Sequence, residues 1–202
     1  MNLKNIKIGL AITGSFCTLN SFLPQIKALC AVCDNVTPIF SESVSKLETR
    51  FSTADERKTI LEGITGRPAI TSIVSAEEIG PGKLFDILVI APCTGNTLAK
   101  IANAITDTTT TMAAKAHLRN NRPVLIGLST NDGLGANARN LGFLLNIKNI
   151  YFIPFYQDDP ALKPKSITFK DNLLIESIAS ALNNEQIQPV ISQPPTADEF
   201  NN

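Results

Sequence analysis

Short apolar runs alternate with longer stretches whose apolar residues recur at helical spacing. The runs are Ile6–Ile12, Val36–Phe40, Ile70–Val74, Ile87–Ala91, Val124–Leu128 and Ile150–Ile153. They are short and lack polar alternation, which predicts strands covered on both faces. From Phe16, apolar residues fall at Leu19, Phe22, Leu23, Ile26, Leu29 and Cys30, the spacing of a helix. Pro24 within it predicts a kink, or a helix that starts late. Ala54–Ile64 predicts a helix stopped at Gly66, with Pro68 beyond. Further helices are expected after Thr97 through Ala104, over Met112–Asn120, over Asn137–Leu145 and over Asp171–Leu182. Ser43–Thr53 is polar and follows neither period.

Strands alternating with helices predict an α/β fold. The expected form is a doubly wound, mainly parallel sheet of about six strands flanked by helices, a flavodoxin-like or Rossmann-like three-layer sandwich. The stretch from Gln186 holds Pro189, Pro194 and Pro195 and few large apolar residues, so 186–202 reads as a loosely ordered tail.

The chain has 202 residues, 44% hydrophobic, enough to bury a core. Lys+Arg and Asp+Glu are 18 each, so no basic excess points to nucleic acid or an anionic membrane. No apolar run approaches the ~18 residues of a membrane span. Met1-Asn2-Leu3-Lys4 runs straight into the first strand without a small-residue cleavage site. Together with only four cysteines, this argues for a cytoplasmic chain rather than a disulfide framework.

In such a sheet, ligands bind at the carboxyl ends of the strands. Those ends read Thr13-Gly14-Ser15, Ser41, Pro92 to Thr97 and Ser129 to Asp132. Ser, Thr, Asn and Gly cap helices anywhere, but four small polar tips together point to a phosphate-bearing ligand at helix N-termini. Gly9 and Gly14 have the spacing of a P-loop, but no Lys follows, and G-x-G-x-x-G is absent. A mononucleotide such as FMN needs only amides and hydroxyls for its phosphate and an apolar slot for its ring.

Some of the other residues read as structural. His117, the only histidine, lies on a helix away from every tip, so neither a triad nor a metal cluster is expected. Cys30 and Cys33 are spaced like a redox pair but end a helix rather than begin one, so core-facing thiols are expected. Cys93 lies in a tip and reads equally as small filler or as a ring contact. Thr108–Thr111 marks a helix start or loop, with Asp107 as the expected cap. Arg50, between Thr49 and Phe51 beyond the second tip, is a candidate to grip a carboxylate.

The segment Phe85 to Ala104, with Pro92-Cys93-Thr94-Gly95-Asn96-Thr97 at its centre, resembles the P-A-S-A-N-T region of the FMN-dependent flavoproteins, which include cysteine decarboxylases. Gly14-Ser15 and Ser41 match that family's phosphate and flavin tips, and the resemblance spans roughly Ile6 to Ile153. It implies one flavoprotein-like domain over 1–185. It implies FMN held by Gly14, Ser15, Ser41, Pro92, Thr94, Asn96, Thr97 and Ser129, and a homo-oligomer. Thr49-Arg50-Phe51, Ala113 to Pro123, Ser129 to Asp132 and Asn149 to Pro160 are similar to a narrower branch, the B subunits of the synthase that makes dipicolinate.

That branch implies oxidation of dihydrodipicolinate together with the A subunit of dipicolinate synthase, which would bring any NADP site. It also implies the mother-cell cytoplasm of a sporulating bacterium. Arg50, Lys115 and Asn131 are the residues expected to meet the dicarboxylate, and no general base is identified. The decarboxylases' histidine is missing from Ser43–Ser75, and of their P-x-M-N motif Leu128-Ser129-Thr130-Asn131 keeps only Asn131. Two other readings therefore stay open: a non-catalytic partner that positions the A subunit, and a decarboxylase with altered chemistry.

Overall fold

The computed structural model describes residues 2–194. Its parallel strands are β1 (Lys7–Ile12), β2 (Asn35–Phe40), β3 (Ile87–Cys93), β4 (Val124–Thr130) and β5 (Ile150–Phe152). They lie side by side in the order β2-β1-β3-β4-β5. Two short strands, β6 (Phe155–Tyr156) and β7 (Ile167–Phe169), extend the sheet. Both pairings of β7 are antiparallel, one with the end of β4 at Ser129 and Thr130, the other with β6. The doubly wound, mainly parallel sheet is thus present, with an antiparallel corner that the apolar pattern does not announce.

Successive strand residues point to opposite faces, and each face carries its own core. Ile8, Leu10, Ile12, Ile87 and Val89 face α1 (Phe16–Val32) and α9 (Leu174–Leu182), burying Phe22, Ile26, Leu29, Leu174 and Ile178. α3 (Ala54–Thr65) adds Leu61 to this layer. Ala11, Leu88, Ile90, Val124 and Ile126 face the other way. They meet α4 (Ile73–Glu77), α5 (Ile79–Gly82), α6 (Gly95–Ala102), α7 (Thr109–Leu118) and α8 (Ala138–Leu145). One more helix, α2 (Glu42–Lys46), follows β2.

Several elements differ from the sequence reading. Ile70–Val74 is not a strand. Ile70 alone bridges Ile39, and the Ser72 hydroxyl then caps α4 by accepting from the Ser75 amide at 3.1 Å. α1 neither starts late nor stops at Pro24. The carbonyl that Pro24 leaves without its helical donor belongs to Asn20, which is exposed to water. Ser43–Thr53 contains the short α2 and a loop. Three of the four threonines belong to α7, and Thr108, not Asp107, caps it in a reciprocal box with Thr111. Asp107 instead pairs with Lys100 at 2.7 Å.

The described part of the proline-containing tail is docked rather than loose. The Gln186 amide bonds both backbone groups of Phe152, and Phe155 exchanges backbone bonds with Val190 and Ser192. Residues 195–202 lie outside the described residues.

Candidate functional site

The crossovers diverge between β1 and β3, so the crevice at a topological switch point opens beyond their carboxyl ends. Thr13, fully buried, ties those ends together. Its hydroxyl donates to the Pro92 carbonyl at 2.8 Å and accepts from the Thr94 amide at 2.9 Å. The Ala91–Pro92 bond is cis.

From this staple the two helices α1 and α6 leave with different N-termini. Thr94 caps α6, its oxygen accepting from the Thr97 amide at 3.3 Å. Ser15 stands at the N-cap of α1 but makes no capping bond, and the first turn carries no acidic residue. Its hydroxyl turns to its neighbours, 3.1 Å from both Thr18 Oγ1 and Ser129 Oγ, and these two lie 2.7 Å apart. The seventeen-residue α1 therefore presents first-turn amides with no side-chain acceptor, beside three hydroxyls.

These groups border a cavity of about 360 Å³. Of the expected site residues, the structure brings Gly14, Ser15, Thr94, Ser129 and Asn131 to its walls, with Phe16 and Phe51 as apolar lining. Pro92 and Thr97 are buried behind it, the first as acceptor for Thr13, the second as the residue capped by Thr94. Ser41 is buried and caps α2, accepting from the Val44 amide at 3.4 Å. Asn96 points to solvent from the first turn of α6.

The expected carboxylate contacts separate. Arg50 is exposed, its guanidinium 4.8 Å from the ring centroid of Phe51, one residue outside the cavity wall. Lys115 lines a different hollow of about 280 Å³, with Ile101, Ile105 and Leu118, between α6 and α7. The structure does not bring it to the crevice, because helical rotation sends it to the outer side of α7.

The floor of the site is a polar network that periodicity does not show. The Asp132 carboxylate accepts from Thr130 Oγ1 at 2.7 Å and from Asn137 Nδ2 at 2.9 Å. These hydrogen bonds, that from Thr130 first, hold its pKa below the usual carboxylate range. Asn137 in turn accepts from Asn140. The network packs against Gly95, where an added Cβ would lie 2.6 Å from both Asn137 Nδ2 and Thr130 Oγ1.

Arg57 is the other residue that sequence reasoning passed over. It is 3% exposed, and its guanidinium donates to the carbonyls of Val44, Leu47 and Ser52, holding the loop that carries Phe51. The detectable signal was its place one turn before Leu61, on the buried face of α3.

His117, Cys30, Cys33 and Cys93 lie off the cavity wall. His117 is buried, with Nε2 3.1 Å from the Pro123 carbonyl, and burial lowers its pKa to about 4. Burial, and then the neighbouring Cys33, raises Cys30 to about 11, and Cys33 donates to the Ile6 carbonyl. Cys93 is wholly buried in the core beneath the site rather than on its wall, so it serves as filler.

Residues 1–168 match the family model Flavoprotein. The B subunit of dipicolinate synthase from Bacillus subtilis (strain 168) is 48% identical over 190 residues, covering 94% of this chain and 95% of the relative. The crystal structure of the dipicolinate synthase B subunit from Bacillus halodurans C superimposes with a TM-score of 0.88 at 43% identity, covering 96% of this chain and all of that one. DmrB of Burkholderia xenovorans, solved in complex with FMN, shares the fold at 16% identity, with a TM-score of 0.65 over 89% of this chain and 96% of its own.

Proposed function

The chain belongs to the flavoprotein family, and from that premise we propose that it is the B-type subunit of a dipicolinate synthase that binds FMN in the β1–β3 crevice. The observation that carries this reading is the N-terminus of α1. A long helix with open first-turn amides, no acidic residue and a hydroxyl cluster suits a phosphate monoester. Gly95 fits the same reading, because it lets the start of α6 pack directly on the Asp132 network at the crevice floor, where any side chain would collide with Asn137 and Thr130.

In this reading Gly14, Ser15 and Thr18 receive the phosphate. Ser129 fixes the Ser15 and Thr18 hydroxyls in place, and Phe16 and Phe51 give the ring an apolar wall that excludes water. When bound, the flavin would supply a hydride acceptor for oxidising dihydrodipicolinate to the aromatic dicarboxylate. Asn131 and the rim residue Arg50 are the proposed contacts to that substrate. Ser41, Pro92, Thr94 and Thr97 act by shaping the crevice. A second subunit of A type is the proposed partner and the proposed holder of any NADP. A homo-oligomer of this chain, and a role in the mother-cell cytoplasm, follow from the same reading.

One observation favours a second reading, a flavin-binding or flavin-free subunit that positions its partner. The cavity wall holds no histidine, and its titratable side chains are Cys17, Asp158 and Lys163.

The test is titration of the purified chain with FMN, followed by visible absorption and by alkylation of Cys17. This thiol is exposed on the cavity wall, whereas Cys33 and Cys93 are buried. FMN that is retained on gel filtration and slows Cys17 labelling by about tenfold supports the flavin site. A chain that ignores FMN removes the flavin from the proposal and leaves the positioning role. Anaerobic reduction by dihydrodipicolinate with and without the A subunit then separates a redox subunit from a positioning one.

A further inference from the structure

The connection from β6 to β7 forms one wall of the cavity. It is braced from within: the Gln157 amide donates to the Pro164 carbonyl at 2.9 Å, and the Lys163 amide to the Asp159 carbonyl at 2.7 Å. It is braced from without by the Leu134 amide, which donates to the Lys165 carbonyl, and by Ser166 Oγ, 3.4 Å from Asn131 Oδ1. This wall places Lys163 and Asp158 on the cavity.

Lys163 is the one cationic side chain among the described residues of the lining. It is held by Asp158 at 3.4 Å, with the two side chains 53% and 28% exposed. A long, half-exposed ion pair contributes little stability, so a better anion can displace its partner. Asp158 also sets the sign of the wall: without Lys163 the cavity would face an anion with a bare carboxylate.

We infer that Lys163 is the carboxylate-recognising cation of this site, and that Asp158 is the internal anion which a planar dicarboxylate displaces. The inference rests on the reading of the crevice as the site of dipicolinate chemistry and adds to it a specificity pair that lies outside the residues expected from sequence. The ligand's ring would lie against the apolar lining while one carboxylate meets Lys163. Asp158 then discourages anions too weak to exchange with it.

The test compares wild type, Lys163→Ala and Asp158→Asn by titrating dipicolinate calorimetrically into the full chain, with and without FMN. FMN and riboflavin are titrated separately. K163A is expected to weaken dipicolinate by about tenfold or more, and D158N to strengthen it severalfold, with a smaller change in FMN affinity in both. Opposite signs from two members of one ion pair are not produced by simple loss of loop structure, and a circular dichroism spectrum checks that the loop variants fold.

Equal dipicolinate affinity in wild type and K163A overturns the inference, as does a weaker D158N. If K163A weakens FMN but not riboflavin, Lys163 serves the flavin phosphate and the carboxylate assignment is wrong. A wild type that binds no dipicolinate, with or without FMN, also overturns it. Failure to bind FMN would count against the flavin reading alone, because the dipicolinate titrations without FMN still decide the role of Lys163.

Discussion

The guanidinium of Arg57 lies 4.8 Å from the ring centroid of Phe16 while donating to the carbonyls of Val44 in α2 and of Leu47 and Ser52 in the loop beyond it. Phe16 opens α1 and lines the crevice, so one buried cation couples the start of that helix to the loop bearing Phe51. The contact adds cation–π attraction to hydrogen bonds that neutralise no charge but satisfy carbonyls at the end of α2 and in the loop after it.

Replacing Arg57 with Met keeps the stem and deletes the donors. It is expected to lower stability by about 3 kcal/mol, since one buried carbonyl, that of Val44, and two partly buried ones lose their donor. Chemical denaturation measures this directly. FMN affinity is expected to fall as well, because Phe51 is no longer held. A loss below about 0.5 kcal/mol, the size of an ordinary surface substitution, would show that the loop does not depend on the clasp.

Gly95→Ala places a methyl carbon 2.6 Å from Asn137 Nδ2 and Thr130 Oγ1 and 2.9 Å from Asp132 Oδ1. These atoms are fixed by their own hydrogen bonds, so they yield only by breaking the Asp132 network. A stability loss of about 1–3 kcal/mol is expected, the usual cost of overpacking. FMN binding is expected to fall more than tenfold, because the start of α6 moves. Gly142→Ala is the control, since nothing lies within 4 Å of its added Cβ. Equal behaviour of the two variants would remove Gly95 from the site.

His117 makes stability pH-dependent. Its folded pKa of about 4 lies below the ordinary 6.5, with burial as the main cause. Between these values the unfolded chain binds the proton and the folded one does not, so acid favours unfolding. The neutral-state stability is complete above about pH 6.5, falls as the pH drops through this window, and levels off near pH 4. The span is on the order of 3 kcal/mol. His117→Gln keeps an amide donor for Pro123 and removes the titration. Its stability curve from pH 7 to 4 is expected to be flatter than that of the wild type. Parallel curves would assign the acid sensitivity to other groups.

The parallel strands, their order of appearance and most helices follow from local periodicity. Buried parallel strands must be apolar on both faces, and helices must repeat an apolar stripe. The Gly66 stop is legible because a left-handed C-cap, at φ 65° here, favours glycine. The tips Gly14-Ser15, Thr94 and Ser129 are legible for the same kind of reason: small polar residues stand where strands end.

Tertiary structure alone decided what those tips do. That Ser15 leaves α1 uncapped and turns to Ser129, 114 residues away, depends on strand order and not on any local spacing. The antiparallel β7 is three residues long and gains its identity only by pairing with the end of β4 and with β6. Lys115 and Lys163 look alike as letters, yet helical rotation turns one outward while a braced loop sets the other on the cavity. Periodicity encodes which side of an element is buried, whereas a binding site is made where several elements end, and that meeting exists only once the sheet has formed.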